Sequence, residues 1–186
     1  MLYRLIFRLF FTRLDAEFAH HIGMAVIRLL GASGISSLLR VKSSRVIKAF
    51  GLTFDSAFGL ASGFDKNAVA IKALGDLGFS HVEVGTVTAI AQSGNDKPRL
   101  FRLVADRALI NRMGFNNDGA AAVAKRIAAT RTRYENQLPV IGVNIGKSRV
   151  VEVENAVSDY RASAKLLAPV ADYIACLLYT SDAADD

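Results

Sequence analysis

The sequence contains a single cysteine, Cys176, among its 186 residues. One cysteine excludes an intramolecular disulfide, and no spaced set of histidines and cysteines accompanies it, so no metal site is expected. A reducing compartment that faces the cytosol fits this cysteine usage. Charged residues make up only 22% of the chain and hydrophobic residues 52%, which argues against disorder and provides enough apolar side chains for one domain.

The chain also lacks an uninterrupted apolar run of the ~20 residues that a membrane-spanning helix needs. Its apolar N-terminus, MLYRLIFRLFFTRL, is interrupted by Arg4, Arg8 and Arg13. Because these arginines are scattered and no small-residue cleavage pattern follows them, a secretory signal is not expected either. No internal repeat and no low-complexity segment is present.

The excess positive charge is confined to one part of the chain. The net charge is +6, and residues 1–50 contain eight basic and two acidic side chains, whereas the rest of the chain is balanced. A localised basic segment indicates contact with an anionic membrane surface and argues against a nucleic-acid-binding domain.

Two helical patterns occupy this basic segment. In the first, Arg4 and Arg8 lie on one side and the apolar residues on another, namely Leu2, Leu5, Ile6, Leu9 and Phe10. This pattern favours an amphipathic helix in the membrane interface, and the alternative is a helix that packs on the protein's own core. The second pattern ends at Gly31 and consists of Phe18, Ile22, Val26 and Leu29. Residues 1–40 are therefore expected to form a small helical, membrane-associating domain.

From residue 56 the pattern alternates between buried strands and helices, which predicts a parallel sheet wrapped by helices. The expected strands are SAFGLASGF (56–64), HVEVGTVTAI (81–90), LPVIGVNIG (138–146) and DYIACLL (172–178). The expected helices are NAVAIKALGDLGF (67–79), residues 119–131 and ENAVSDYRASAKLLAPV (154–170). RLFRLVADRALINRM (99–113) is expected to form a hairpin that turns at residues 105–108.

Polar clusters follow the first three of these strands, at Ser62–Lys66, Gly85–Thr88 and Asn144–Lys147. Because the carboxyl ends of parallel strands meet at one edge, the three clusters are expected to share a ligand site. Their glycines expose backbone N–H groups to a phosphate or a planar cofactor. Lys66 and Lys147 would place positive charge near electron-rich ligand atoms.

The string INRMGFNNDG (110–119) combines three amides with Arg112, Met113, Gly114 and Phe115. Amide side chains both donate and accept hydrogen bonds, so this mixture is suited to a small, flat, polar ligand. The alternative for Asn117 and Asp118 is that they cap the helix that follows.

The chain resembles the quinone-linked, membrane-associated dihydroorotate dehydrogenases. The resemblance covers residues 51–176 and rests on GLTFDSAFGLASGFDKNAVAIKALGDLGF, on VEVGTVTAIAQSGNDKPRLFRLVADRALINRMGFNN and on IGVNIGKS. GNDKPRLFRL and NRMGFNN are its most specific parts. LDAEFAHH (14–21) is similar to the helical extension that precedes the barrel in this family.

The resemblance implies an FMN-containing (β/α)8 TIM-type barrel, of which residues 41–176 supply about the first four β/α units. FMN would be contacted by Ser62, Gly63, Phe64, Asp65, Lys66, Thr86 and Asn144. Dihydroorotate would be bound by Lys66, Asn111, Arg112, Met113, Gly114 and Phe115. The implied reaction oxidises (S)-dihydroorotate to orotate and passes the electrons through FMN to a membrane quinone, in UMP synthesis. The implied location is peripheral, on the cytoplasmic face of the inner membrane.

The family's catalytic base, a serine in a pattern resembling NxSSPNTPGL, has no counterpart here. Leu177 stands where the family has asparagine, and Thr180 stands where it has the serine. Residues 177–186 are therefore expected to be foreign, and the chain is expected to be a truncated remnant that neither holds FMN nor turns over substrate. A purely membrane-binding module and a family class with another electron acceptor are the alternatives, and the basic N-terminal extension argues against the second.

Overall fold

A computed structural model of the protein describes residues 7–38 and 45–178. The expected apolar positions Leu2, Leu5 and Ile6 lie outside the described residues, together with Arg4. The same holds for the expected foreign segment beyond Leu178.

The described residues form five α-helices and several short turns of other helix types. The helices are α1 (Ala16–Ala32), α2 (Ile35–Leu38), α3 (Ile71–Asp76), α4 (Ala120–Tyr134) and α5 (Ala156–Leu167). A π-helical turn, Phe7–Phe11, precedes α1, and 3-10 turns lie at Glu135–Gln137, Val153–Asn155 and Ala168–Val170. Helix α1 begins where it does because the Asp15 carboxylate accepts a hydrogen bond from the Phe18 backbone N–H at 2.8 Å.

The strands are β1 (Ile47–Ala49), β2 (Leu52–Phe54), β3 (Gly59–Leu60), β4 (His81–Val87), β5 (Leu100–Leu103), β6 (Ala108–Asn111), β7 (Val140–Ile145) and β8 (Tyr173–Cys176). Strands β3, β4, β7 and β8 form one parallel sheet in that order. Strands β1 and β2 form one antiparallel hairpin, and β5 and β6 form another. The expected parallel arrangement of four strands is thus confirmed.

One face of the parallel sheet carries the main core. Val84 and Val143 point from β4 and β7 toward the helices and pack with Ile71, Ile127 and Leu167. All five side chains are at most 2% exposed. Burying each such side chain contributes about 1.5–3 kcal/mol, so this face holds the helices in place.

The other face of the sheet alternates large and small residues between neighbouring strands. A Cβ atom on Gly59 would lie 1.7 Å from the His81 ring, and one on Gly142 would lie 2.1 Å from the Tyr173 ring. Each glycine therefore leaves the space that an aromatic side chain of the next strand occupies.

Some boundaries differ from the expected ones. The first strand was expected over residues 56–64 but extends only over Gly59–Leu60. The chain leaves the extended conformation soon afterwards, since φ is +103° at Gly63. The β5–β6 turn precedes Ala108 and does not include it, because Ala108 pairs with Leu103.

Helix α4 was expected over residues 119–131 but begins at Ala120 and ends at Tyr134. Gly119 has φ +83°, which places it before the first helical residue. At the other end, basic side chains in the last turn suit the negative end of the helix dipole, so the helix continues through Arg133.

Helix α1 packs on the rest of the protein through Ala16, Ala19 and Met24, and it leaves three of its large apolar residues exposed. Ala16 and Ala19 are 8% exposed, whereas Phe18, Val26 and Leu29 are 54%, 51% and 69% exposed. The expected apolar stripe therefore exists but faces away from the core. Within the described parts of the chain, no helix has the length and apolar character needed to cross a membrane.

A buried ion pair fastens α1 to the β5–β6 hairpin. The Arg99 Nε and Nη2 atoms donate to the two Glu17 carboxylate oxygens at 3.1 and 2.8 Å. Arg99 Nη1 also donates to the carbonyls of Ser93 and Asn95 at 2.6 and 2.9 Å. The hydrogen bond from Arg99 lowers the pKa of Glu17 from 4.5 to about 2, although burial opposes this shift.

Arg102, three residues further along β5, holds the segment before α1. Its Nη1 atom donates to the carbonyls of Phe11 and Leu14 at 2.6 and 3.0 Å. Its guanidinium group also lies 5.8 Å from the centre of the Phe7 ring. The hairpin therefore holds the N-terminal segment through two arginines.

We expect Arg99→Ala to lower the free energy of unfolding by about 3–5 kcal/mol, because it leaves the Glu17 carboxylate buried without its main partner. Lys97→Ala is the matched control: Lys97 Nζ lies 3.3 Å from the same carboxylate but is exposed. It should cost less than about 1 kcal/mol. Urea unfolding of the purified chain measures both, and equal losses would contradict the assigned importance of Arg99.

The same pair predicts a dependence of stability on pH. The folded-state pKa of Glu17 is depressed to about 2 from 4.5. The stabilisation from the pair is therefore complete above about pH 4.5 and is lost as the pH falls toward 2. This part of the acid dependence should be absent from Arg99→Ala.

Candidate functional site

A cavity of about 1050 Å³ lies between the N-terminal segment and the carboxyl ends of the parallel strands. One wall comes from the π-helical turn and α1. The opposite wall comes from the loop after β3, the end of β4 and the β5–β6 hairpin with the loop that follows it. Each side mixes apolar and polar groups: the N-terminal side carries Phe7, Phe11 and Met24 beside Glu17 and His20, and the sheet side carries Lys66 and Asn111 beside Phe64 and Leu109.

The structure brings nearly all of the sequence-predicted site residues to this cavity. The loop after β3 contributes Ser62–Lys66, β4 contributes Thr86, and the segment after β6 contributes Asn111–Phe115. Asn144 does not line the cavity but lies behind Thr86, whose Oγ1 donates to Asn144 Oδ1 at 2.8 Å. The ligand roles of these residues stay predictions.

Lys66 is a partly buried cation on the cavity wall. Its Nζ atom donates to Asn116 Oδ1 at 2.6 Å. Burial lowers the pKa of Lys66 from 10.5 to about 8, the positive charge of Arg99 adds to the shift, and Glu17 opposes it. Lys66 is therefore mainly charged at neutral pH and loses its proton more readily than an ordinary lysine.

The Asp65 side chain stabilises the loop after β3. Its carboxylate oxygens accept hydrogen bonds from the backbone N–H groups of Val69 and Ala70 at 2.9 and 2.8 Å. Burial raises the pKa of Asp65 despite these bonds. The Asp65 residue is 1% exposed, so its carboxylate is turned into the loop and away from the cavity space.

The loop after β6 has a turned backbone that presents its side chains to the cavity. Asn111 Oδ1 accepts a hydrogen bond from the Met113 backbone N–H at 2.9 Å. The φ angles of Gly114 and Phe115 are +72° and +52°. The Asn111 amide oxygen thus has one partner within the loop, and its Nδ2 group is a donor available to a ligand.

A neighbouring turn, residues 92–95, holds this loop through its backbone. Gln92 Nε2 donates to the Gly114 carbonyl at 3.2 Å, and Asn95 Nδ2 donates to the Arg112 carbonyl at 3.0 Å. Arg149, from the loop after β7, donates in turn to Asn95 Oδ1 at 3.0 Å. The conformation of the loop is thus set by residues that lie outside it.

The structure also bears on Asn117, Asp118 and Lys147. The alternative that Asn117 and Asp118 cap α4 is not observed, because the N-cap of α4 is Gly119. Asn117 instead joins the loops, because its Oδ1 accepts from the Thr88 backbone N–H at 3.2 Å and its Nδ2 donates to Thr88 Oγ1 at 2.9 Å. Lys147 was expected near the ligand, but its Nζ donates to the carbonyls of its own loop.

The comparisons with known proteins agree with this geometry. The sequence profile of the dihydroorotate dehydrogenase family matches residues 45–178. The chain belongs to the dihydroorotate dehydrogenase family.

Curated relatives named dihydroorotate dehydrogenase (quinone) match nearly the whole chain. The protein of Arthrobacter sp. (strain FB24) is 58% identical over 180 residues, which cover 92% of this chain and 50% of the relative. The protein of Clavibacter michiganensis subsp. michiganensis is 56% identical over 178 residues, which cover 94% of this chain and 51% of the relative. The chain thus spans about half the length of the curated relatives it matches.

Solved structures of the family have the same fold. DHODH from Eimeria tenella in complex with ferulenol is 38% identical, with a TM-score of 0.73 over 87% of this chain and 43% of that chain. The ligand-free form is 40% identical, with a TM-score of 0.72 over 87% of this chain and 45% of that chain. These neighbours and the parallel sheet fit a TIM-barrel family.

Several polar side chains that line this cavity were not assigned to a site from the sequence. Four of them are Glu17, His20, Arg102 and Asn116. The partly buried ring of His20 lies edge-on to Phe64 at 5.0 Å. LDAEFAHH, GNDKPRLFRL and NRMGFNN contained the signal for all four, because these strings carry the family resemblance.

We expect Lys66 to react with a small acid anhydride with a pH midpoint near 8, because only its neutral amine is nucleophilic and its pKa is about 8. Peptide mass spectrometry after brief labelling between pH 6 and 11 gives this profile. The exposed Lys125 in the same sample is the internal control. Identical profiles for the two lysines would contradict the environment assigned to Lys66.

Proposed function

We propose that the chain serves the FMN-dependent oxidation of (S)-dihydroorotate to orotate, with a membrane quinone as electron acceptor, in pyrimidine biosynthesis. The observation that carries the proposal is the meeting of Lys66, Thr86 and Asn111 at one cavity in a chain of this family. These groups come from three separate segments of the chain.

The residues present fit a flavin ring. No atom lies within 4 Å of a Cβ built on Gly63, so the backbone there is open to a flat group. Thr86 and Lys66 provide hydroxyl and ammonium groups suited to the carbonyl and ring-nitrogen edge of an isoalloxazine. The cavity volume of about 1050 Å³ accommodates a flavin together with a small substrate.

The residues of this chain would bind and orient the reactants. Bound FMN would supply the hydride acceptor and the path of electrons to quinone. Lys66 would offer a positive charge to anionic dihydroorotate, and Asn111 would donate from Nδ2 to its ring. The hydrogen bonds from Gln92 and Asn95 would keep the loop after β6 in the geometry that the reaction needs. No described residue is assigned as the base.

We expect Asn111→Ala to lower kcat/KM for dihydroorotate about 10–100-fold while the FMN content stays unchanged, because the proposed contact is with the substrate. Lys66→Ala should lower both kcat/KM and the FMN content. The host is the chain joined at position 177 to the second half of the Arthrobacter relative. Quinone-dependent turnover and flavin absorbance are the measurements.

Asn155→Ala is the matched control for Asn111→Ala, because Asn155 is an exposed asparagine that makes no side-chain cap at the start of α5. Asn155→Ala should leave kcat/KM and the FMN content unchanged. If Asn111→Ala lost its yellow colour but kept the turnover of its remaining flavin, the assignment of Asn111 to the substrate would be wrong.

We further propose that the N-terminal segment attaches the protein peripherally to the cytoplasmic face of the inner membrane. The exposed apolar face of α1 supports this, since Phe18, Val26 and Leu29 have no core to pack on. The positive charge of residues 1–50 favours an anionic lipid surface. Helix α1 also forms a wall of the cavity, so a quinone in the membrane would enter on its apolar side.

We expect the triple change of Phe18, Val26 and Leu29 to serine to abolish sedimentation with vesicles that contain phosphatidylglycerol, because it removes the apolar face that enters the interface. Changing Val150, Val153 and Val157 to serine is the matched control, since these residues are 74%, 59% and 69% exposed. Binding of the unchanged chain should weaken as salt rises. Equal binding by a chain that begins near residue 50 would reject this attachment.

A further inference from the structure

Three neighbouring strands place Glu83, Gly142 and Tyr173 in one row behind the cavity. The strand registers pair Glu83 with Gly142 and Gly142 with Tyr173. Paired residues of a parallel sheet point to the same face, so Glu83 and Tyr173 flank a position that has no side chain. The Tyr173 ring fills that space, and its hydroxyl donates to Glu83 Oε2 at 3.0 Å.

The second Glu83 oxygen reaches the residue behind the cavity wall. Asn144 Nδ2 donates to Glu83 Oε1 at 3.4 Å, and Thr86 Oγ1 donates to Asn144 Oδ1 at 2.8 Å. A carboxylate only accepts hydrogen bonds, so Asn144 must turn its nitrogen to Glu83 and its oxygen to Thr86. The single hydroxyl hydrogen of Thr86 is thereby committed to Asn144.

We propose that Glu83 is a positioning residue for the flavin site: it fixes the Asn144 amide and so makes the Thr86 oxygen a hydrogen-bond acceptor toward the cavity. The inference rests on the proposed function, because an N–H group of the isoalloxazine is the ligand donor that such an acceptor suits. Without Glu83, the Asn144 amide is free to rotate by 180°. Thr86 would then present its hydrogen to the cavity.

A purely structural role would have a different signature. If Glu83 served only to join β4 to β8 through Tyr173, removing the tyrosine hydroxyl would have the same effect as removing the carboxylate. Glu83 and Thr86 would also act independently, because neither side chain hydrogen-bonds the other. A double-mutant cycle between them separates the two cases.

The test measures the FMN dissociation constant of the apoprotein by quenching of flavin fluorescence, with the chain completed from position 177 as above. Glu83→Leu and Thr86→Val should each weaken FMN binding about tenfold. The double variant should bind no more weakly than Thr86→Val alone, because both changes remove the same acceptor. Glu83→Gln retains an acceptor for Asn144 and should stay within about threefold.

Tyr173→Phe is the matched control, because it leaves the contact between Glu83 and Asn144 in place. It should change the dissociation constant less than about twofold. The visible absorption band of bound FMN should shift in Glu83→Leu and Thr86→Val but not in Tyr173→Phe, since only the first two alter the hydrogen bond to the ring. Where Glu83→Leu does not fold, Glu83→Met takes its place in the cycle.

Additive losses in the double variant, or unchanged FMN binding by Glu83→Leu, would overturn the positioning role and leave the proposed function intact. A Tyr173→Phe variant as impaired as Glu83→Leu would also overturn it. An absence of FMN binding by the unsubstituted protein would instead reject the proposed function, and this inference with it.

Discussion

The bidentate contact between Glu17 and Arg99 is the interaction on which the cavity depends. Helix α1 forms one wall of that cavity and packs on the core through Met24, but Phe18 and Leu29 are exposed, so apolar packing is only part of what holds it. A charged pair removed from water is stable only when its hydrogen bonds are satisfied. Arg99 meets this condition with both Glu17 oxygens and two backbone carbonyls. The position of α1 is therefore set by the hydrogen bonds of Arg99, whose geometry is directional.

The same guanidinium group links α1 to the ligand loop. The carbonyls that it binds belong to Ser93 and Asn95, and Asn95 holds the Arg112 carbonyl. A movement of α1 would therefore be transmitted through these hydrogen bonds to the loop that carries Asn111. In the proposed function, this arrangement would couple the helix that we propose to attach to the membrane to the substrate side of the cavity through one side chain.

Much of the fold could be predicted from the sequence because its strands are continuous apolar runs and its helices have clear periodicity. Gathering the clusters after the strands at one edge followed from parallel topology alone. The orientation of α1 could not be predicted, because a stripe of Phe18, Val26 and Leu29 suits a core as well as a membrane surface. Only the three-dimensional packing, with Ala16 and Ala19 turned inward, shows that this stripe does not face the core.

The candidate site was predictable in its membership but less so in the direction of each side chain. Asp65 and Lys147 carry charges that suggest a ligand, yet backbone groups nearby satisfy them. Asn144 has the right chemistry for a ligand contact but is turned toward Glu83 and Thr86. The Asp65 and Lys147 bonds are local but depend on the exact path of the backbone, whereas the Asn144 bonds join residues 58 and 61 positions apart, which local sequence pattern does not reveal.

The cavity lining includes both a group of apolar side chains and a group of polar ones, and this combination suits the two halves of the proposed reaction. Lys66, Thr86 and Asn111 would receive a polar, anionic pyrimidine, whereas Phe7, Phe11 and Met24 would receive an apolar quinone. Arg102 lies at the boundary, where it donates to two backbone carbonyls of the N-terminal segment. A flat cofactor between the two sides can exchange electrons with both partners without their meeting. Attachment to the membrane and access to the acceptor would then depend on the same helix, since α1 contributes to both surfaces.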